Sequence, residues 1–343
     1  MKTLDNSRLG KILSRHMLWC AIVTALIGGR ILSPYFFKGN NITVILYTCA
    51  IYGLLAIAES LVLLVAEIDL TIGISAVVSP ALAIYLANAI YKVCLGTQVV
   101  RGGYVTAPWW MIVVFTLLIS SLIGLVNAVL VVKCNVPAFV ATIGMQYAVT
   151  GIGYIITKGT PLFMTKVKGS GVIGGSKIGG IVPLCLFLFL LIAGIFIFLC
   201  ASTRFGMRIY STGGSVRAAT LCGINTGRWK MFMFVISGFL AGVTGVVFTS
   251  KLQSIDVTQT TGYEMTALAI AIIGGIELNG GVGNLKNTVK AALFMAVLSN
   301  VMSMIGFLSY HQTFVLGLFI VLFAILHKRS DSRRLKELNI VEV

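Results

Sequence analysis

The sequence predicts an all-α integral membrane protein of about ten transmembrane helices, with both termini on the cytoplasmic side. Three observations carry this. Of 343 residues, 58% are hydrophobic and 10% charged, against about 25% charged in a soluble chain. The run IVPLCLFLFLLIAGIFIFLC (181–200) holds no charge over 20 residues, enough for a helix to cross about 30 Å of hydrocarbon. The short alternating segments of a membrane barrel do not occur. The formal charge of +16 does not point to nucleic acid, because basic residues gather in connecting segments, as membrane insertion favours.

The chain reads as one domain, 1–343. Residues 1–15 carry four basic residues against Asp5, a flank retained in the cytoplasm. The run 17–35 lacks a small-x-small cleavage site and reads as a retained first span. The second span, 42–65, contains Glu59, and the third, 72–91, contains Pro80. Between them stand Glu67, Asp69 and Thr71. A carboxylate at the bilayer centre costs on the order of 3 kcal/mol unless it finds water or a partner. Two readings stand: Asp69 caps the next helix from a cytoplasmic turn, or 66–73 is a broken, re-entrant helix beside a polar cavity.

Pro108-Trp109-Trp110 opens the fourth span, to 132, with an interfacial tryptophan pair. Pro137 opens the fifth at a first-turn position. Asn127, Thr142 and Gly144 are polar or small positions within these spans, suited to helix packing or to lining a pathway. Residues 158–180 carry four lysines and are placed outside, against the positive-inside tendency. The sixth span is 181–200 and the seventh 231–250. The eighth, 262–276, would reach only about 22 Å and reads as a half-helix ended at 274–284, near Glu277 and Asn279. The ninth is 288–308 and the tenth 312–327, before a cytoplasmic tail, 328–343. Ala66-Glu67-Ile68-Asp69-Leu70 is echoed by Gly274-Gly275-Ile276-Glu277-Leu278. Paired interruptions in two halves point to a transporter's central site.

The cytoplasmic stretch 202–230 has five basic residues and no acid. Within it, a short helix around Arg217, Ala218 and Ala219 ends at Gly223, a left-handed stop. It docks a cytoplasmic partner or merely anchors topology. Seven scattered cysteines without a CxxC read as small buried hydrophobes. The three histidines have no partner at metal-ligand spacing, so no metal site is expected. No G-x-x-x-x-G-K-[ST] occurs, so the chain itself does not cradle ATP phosphates.

Four stretches resemble the permease subunit of ATP-binding-cassette (ABC) importers for ribose, xylose, galactose and related sugars, including the permease for the furanone autoinducer-2. They are EIDLTIG (67–73), GLVNAVLVVKCNVPAFVATIGM (124–145), TRFGMRIYSTGGSVRAATLCGI (203–224) and GYEMTALAIAIIGGIELNGGVGN (262–284). They cover most of the chain in the family's order. The resemblance implies two permease subunits, identical or paralogous, two ATPase subunits that bind ATP and Mg, and an extracytoplasmic sugar-binding protein. It implies the bacterial inner membrane. It makes the segment Gly213, Gly214, Ser215, Arg217, Ala218, Ala219, Gly223 the helix that couples to the ATPase. The family commonly has an acid where Arg217 stands, asparagine where Ser215 stands and glycine where Glu67 stands.

The expected function is therefore a non-enzymatic pore subunit, with no cofactor of its own. Its pathway candidates are Glu59, Asp69, Thr71, Asn127, Thr142, Glu277 and Asn279. The cargo is expected to be a small neutral sugar or polyol, because the spans offer few cations. The alternative is a stand-alone secondary transporter in which Glu59, Asp69 and Glu277 couple to ions. A membrane-embedded enzyme finds no nucleophile–base pair or metal cluster to support it.

Overall fold

The computed structural model describes residues 18–96, 100–101, 104–260, 262–308, 310–315 and 317–318. The N-terminal flank and the tail, both expected to be cytoplasmic, and most of the expected tenth span lie outside these residues. Apolar runs become helices where prolines and caps allow them to start. These are α1 (Leu18–Leu32), α2 (Gly39–Leu64), α3 (Ile72–Leu95), α4 (Trp109–Val132), α5 (Ala138–Thr157), a single turn α6 (Val172–Gly175) and α7 (Leu184–Ser202). There follow α8 (Arg204–Gly214), α9 (Val216–Leu221), α10 (Thr226–Leu252), α11 (Tyr263–Ile273) and α12 (Leu285–Met304). Residues 310–315 are again helical. Pro108, Pro137 and Pro183 each occupy the extended position just before a helix, where a fixed φ and a missing N–H cost nothing. Pro137 thus sits one residue earlier than the first-turn position expected.

Among the described residues, six helices are long and apolar enough to cross a membrane: α2, α3, α4, α5, α7 and α10. The core is built by α2, α3, α4 and α10, and α10 packs most extensively on α4. Small residues make that crossing close. A Cβ at Gly124 would collide with the Phe234 carbonyl, and one at Gly238 with the Ser120 carbonyl. Without a hydrophobic drive between helices in lipid, such backbone approach supplies the packing. The outer faces of α4, α5 and α7 stay apolar and exposed, with Leu118, Tyr147, Ile155, Leu191 and Phe198 among them.

The connections cluster at two ends of the bundle. At one, six two-residue strands form, which the all-α expectation did not include. β1 (Val100–Arg101), β2 (Tyr104–Val105), β3 (Leu162–Phe163) and β6 (Ser254–Ile255) make one small sheet, and β4 (Lys177–Ile178) pairs with β5 (Val182–Pro183). They tie the connections after α3, α5 and α10 together. At the other end lie the turns after α2, α4 and α11 and the α8–α9 pair. Residues 158–180 therefore stand at the end opposite the basic stretch 202–230.

That basic stretch is helical rather than a loop. The Thr203 hydroxyl accepts from the Phe205 N–H at 3.2 Å and starts α8, whose Gly206, Ile209 and Thr212 are buried. The Asn225 side chain accepts from the Arg228 N–H at 3.0 Å. It starts α10 at Thr226, five residues before the 231 expected from hydropathy. Of the seven cysteines, only Cys49, Cys185 and Cys200 are buried, so the buried-hydrophobe reading fails for Cys20, Cys94, Cys134 and Cys222.

Gly124→Leu should force α4 away from α10 and cost about 1–3 kcal/mol by overpacking. A lower unfolding midpoint of the detergent-solubilised protein is expected. An unchanged midpoint would contradict the backbone contact.

Candidate translocation and coupling site

Two helices end in the same way. After α2, Ala66 takes φ +63°, the Ala66 N–H donates to the Leu63 carbonyl at 2.8 Å, and the Glu67 N–H to Val62 at 3.2 Å. After α11, Gly275 takes φ +82°, its N–H donates to Ile272 at 2.8 Å, and the Ile276 N–H to Ala271 at 3.0 Å. Both are Schellman stops. Ala66 therefore matches Gly275, one residue off the alignment of the two acid-bearing echoes. Glu277 corresponds to Ile68, not to Asp69.

Beyond Ala66 the chain turns back extended beside α2, then starts α3 at Ile72. Asp69, 1% exposed, is the centre of this return. Its Oδ1 accepts from the Thr71 N–H at 3.1 Å, the Thr71 hydroxyl at 2.6 Å and Asn127 Nδ2 at 3.3 Å. Its Oδ2 accepts from the Ser237 hydroxyl at 2.8 Å. Asn127 Nδ2 also donates to Thr71 Oγ1 at 2.8 Å. Four donors stand where water would solvate a carboxylate, which makes burial tolerable. Ser237 lies eleven residues into α10, so the cluster sits about 16 Å from that end of the bundle. Glu59, fully buried, accepts from the Asp69 N–H at 3.4 Å. Its Oε2 and the Asn127 Oδ1 have no hydrogen-bond partner among the described residues.

The start of α11 meets the start of α3. Glu264, in the first turn of α11, is buried and accepts from Gln146 Nε2 at 3.0 Å. A Cβ at Gly73 would stand 2.5 Å from Glu264 Oε2. It would also stand 3.0 Å from the Glu264 backbone nitrogen, so a larger residue at 73 would make the Glu264 side chain shift. A carboxylate at a helix N-terminus is favoured by the aligned peptide dipoles. Beside α11 lies a cavity of 540 Å³, bounded by Thr48, Tyr52, Gln259, Tyr263, Ser299 and Gln312 among others, with no charged side chain among the described residues of its lining. Tyr52 and Tyr263 meet edge-on in it at 5.6 Å.

At the end of α8, Gly213 packs against both interruptions. A Cβ there would collide with the Leu64 carbonyl and stand 2.5 Å from the Gly281 nitrogen. The Gly281 N–H donates to the Leu64 carbonyl at 3.0 Å, and the Tyr210 hydroxyl to the Gly283 carbonyl at 3.0 Å. Ser215 then caps α9, its hydroxyl accepting from the Ala218 N–H at 3.2 Å, as an asparagine would. Ala219 is buried, while Gly214, Arg217, Ala218 and Gly223 are exposed. Gly223 takes φ +78°. Glu67 forms an ion pair with Lys230 at the start of α10.

The structure thus gathers Glu59, Asp69, Thr71 and Asn127 in one cluster. Thr142 is buried but bonds only the Ala138 carbonyl of its own helix at 2.8 Å. Glu277 is half-buried and Asn279 exposed in the turn after α11, away from that cluster. Sequence reasoning missed Ser237, Gln146, Gly73 and Glu264. An acid two residues after Gly262, at the start of an unusually short span, was the available signal for Glu264.

A helical bundle with six apolar helices long enough to cross a membrane, two of its helices interrupted and a basic helical pair seated on both interruptions, defines a multi-pass membrane protein. Comparison with known proteins specifies the family. The chain belongs to the family described as branched-chain amino acid transport system permease components, whose match spans residues 41–324. Its relatives include ABC sugar permeases. The ribose import permease RbsC of Haemophilus influenzae is 28% identical over 325 residues, 94% of this chain and 95% of the relative. RbsC of Escherichia coli K12 is 31% identical over 305 residues, 88% of this chain and 89% of the relative. The D-allose permease AlsC of Escherichia coli K12 is 30% identical over 298 residues, 87% and 86% respectively. No solved structure matches the chain.

Asp69→Leu strands the donors of Thr71, Asn127 and Ser237, each buried unpaired group costing about 1–3 kcal/mol. Asp69→Asn keeps an acceptor, and the Ser237 hydroxyl can reverse. Size-exclusion profiles of membrane extracts should show folded permease lost for Asp69→Leu and largely kept for Asp69→Asn. Equal recovery would contradict a structural role for the cluster.

Proposed function

We propose that the chain is the pore subunit of an ABC importer, passing a small neutral sugar or related polyol delivered by an extracytoplasmic binding protein. Two permease subunits would work with two ATPase subunits, which bind ATP and Mg. The proposed topology is ten spans in the bacterial inner membrane, both termini cytoplasmic, with the α8–α9 end facing the ATPases. The sugar class rests on the relatives and on the uncharged cavity beside α11, whose hydroxyls, amides and tyrosine rings suit a neutral polyhydroxylated solute.

The observation that carries the reading is the seat of α8. A distant ATPase acts only through an element whose contacts differ between two states. Force on α9 passes through Ser215 to Gly213, and Gly213 touches the end of α2 at Leu64 and the turn after α11 at Gly281. Release of Leu64 and Gly281 together would move the α3 and α11 starts, which face each other at Gly73 and Glu264. The secondary-transporter alternative needs three carboxylates in one relay. Glu59 and Asp69 are neighbours, but Glu277 stands apart in a surface turn, which weighs against it.

Proteoliposomes holding the permease, its ATPase and its binding protein should take up sugar only with ATP. Uptake by the permease alone, driven by an ion gradient, would overturn the proposal. Gly223→Val separates docking from folding. The space around its Cβ is open, so the main cost is the left-handed φ, about 1–2 kcal/mol. Normal insertion with weakened ATPase co-purification and lost uptake is expected. Wild-type co-purification and uptake would reduce α9 to a topological anchor.

A further inference from the structure

A second cavity, of 890 Å³, lies between α8, the turn Cys222–Asn225 that follows α9, and the first turns of α10. Its walls carry Arg204, Arg208 and Arg228, together with Met207, Trp229 and Phe232. The helix α8 is two-sided: Gly206, Ile209 and Thr212 face the protein, while Arg204, Met207 and Arg208 are exposed on the other stripe. Phe205, Trp229 and Phe232 form three mutually edge-on ring pairs, with centroids 5.5, 6.3 and 6.0 Å apart. The Arg208 guanidinium lies 5.6 Å over the Trp229 ring. Among the described residues no carboxylate lines the cavity. The nearest ion pair, Glu67–Lys230, already neutralises Lys230.

The position is as telling as the charge. Arg204 follows the end of α7 by two residues, and Arg228 is the third residue of α10. The guanidiniums therefore stand where two spans leave the hydrocarbon, the level that tryptophan favours. Arginine forks match phosphate oxygens. Exposed Met207 and Phe232 continue the groove toward the apolar side. The exposed Val216, Arg217 and Leu221 of α9 lie beyond it and remain free for a protein partner.

We propose that this groove binds the phosphate headgroup of an anionic phospholipid, with the acyl chains running past Met207 and Phe232. The bound lipid supplies the negative charge that the groove lacks and fixes α8 at the interface, beneath the Gly213 contact. The inference depends on the membrane reading but not on sugar import or on the ATPase.

The test uses the full permease, purified and placed in nanodiscs of phosphatidylglycerol or of phosphatidylcholine, with bound lipid counted by native mass spectrometry after release into detergent. Wild type should retain phosphatidylglycerol over phosphatidylcholine by about 10-fold. The triple variant Arg204→Gln/Arg208→Gln/Arg228→Gln should lose that preference, and the three Arg→Lys changes together should keep most of it. All three side chains are exposed, so folding should survive, and a size-exclusion profile checks this. An unchanged preference in the glutamine variant would overturn the proposal. Thermal stabilisation by inorganic phosphate alone, equal to that by phosphatidylglycerol, would also overturn it and assign the groove to a soluble anion. Loss of ATPase binding in the glutamine variant with lipid retention intact would overturn it in favour of a protein partner.

Discussion

Three stretches far apart in sequence share one backbone contact, and the arrangement at that end of the bundle depends on it. Leu64 ends α2, Gly213 lies at the end of α8, and Gly281 lies in the turn after α11. The Leu64 carbonyl is one of the groups that a helix end leaves without an intrahelical donor. The Gly281 N–H fills it at 3.0 Å. Gly213 then closes over both, in a space that even one methyl group would overfill. Glycine here is a requirement of distance rather than of flexibility. The left-handed φ values of Gly280 and Gly281, +81° and +71°, add the conformational requirement that lets the turn present its N–H.

From this contact the architecture runs upward in two parallel lines. On one, the chain leaves α2 through Ala66, climbs past Asp69 and starts α3. On the other, α11 descends from Glu264 and stops at Gly275. The full-length α3 and the short α11 begin against each other at Gly73. Asp69 holds the first line in place by bonding α4 through Asn127 and α10 through Ser237. Glu67 adds a charged strut to α10 through Lys230. The interrupted helices are thus not loose ends. Each is tied to rigid spans at mid-depth and to α8 at the surface, which is what a two-position element needs if both ends are to move together.

Much of this was legible in sequence, for identifiable reasons. Long uncharged runs fix spans because every backbone polar group must be satisfied within the segment. Pro108 and Pro137 mark helix starts to within a residue or so. The short eighth span announced its half-helix by length alone. The failures are equally specific. Residues 204–214 carry arginines on one stripe and bury only Gly206, Ile209 and Thr212, so a search for apolar runs sees a loop. The paired interruptions were aligned on aliphatic–acid–aliphatic pattern, whereas backbone conformation aligns Ala66 with Gly275. An alanine at positive φ gives no sequence signal. The meeting of Glu264 with Gln146 and Gly73 joins three helices, and periodicity within any one of them cannot report it.

In the proposed mechanism Gly213 transmits between α9, the helix proposed to dock the ATPase, and both interruptions. Gly213→Ala and Gly214→Ala form a matched pair, since each adds one methyl group but only Gly213 meets the Leu64 carbonyl, while the space at Gly214 is open. The decisive measurement is sugar imported per ATP hydrolysed in proteoliposomes holding each variant with its ATPase and binding protein. Gly213→Ala should bind the ATPase and hydrolyse ATP while importing little sugar, with Gly214→Ala close to wild type. Equal import per ATP in the two variants would contradict the account.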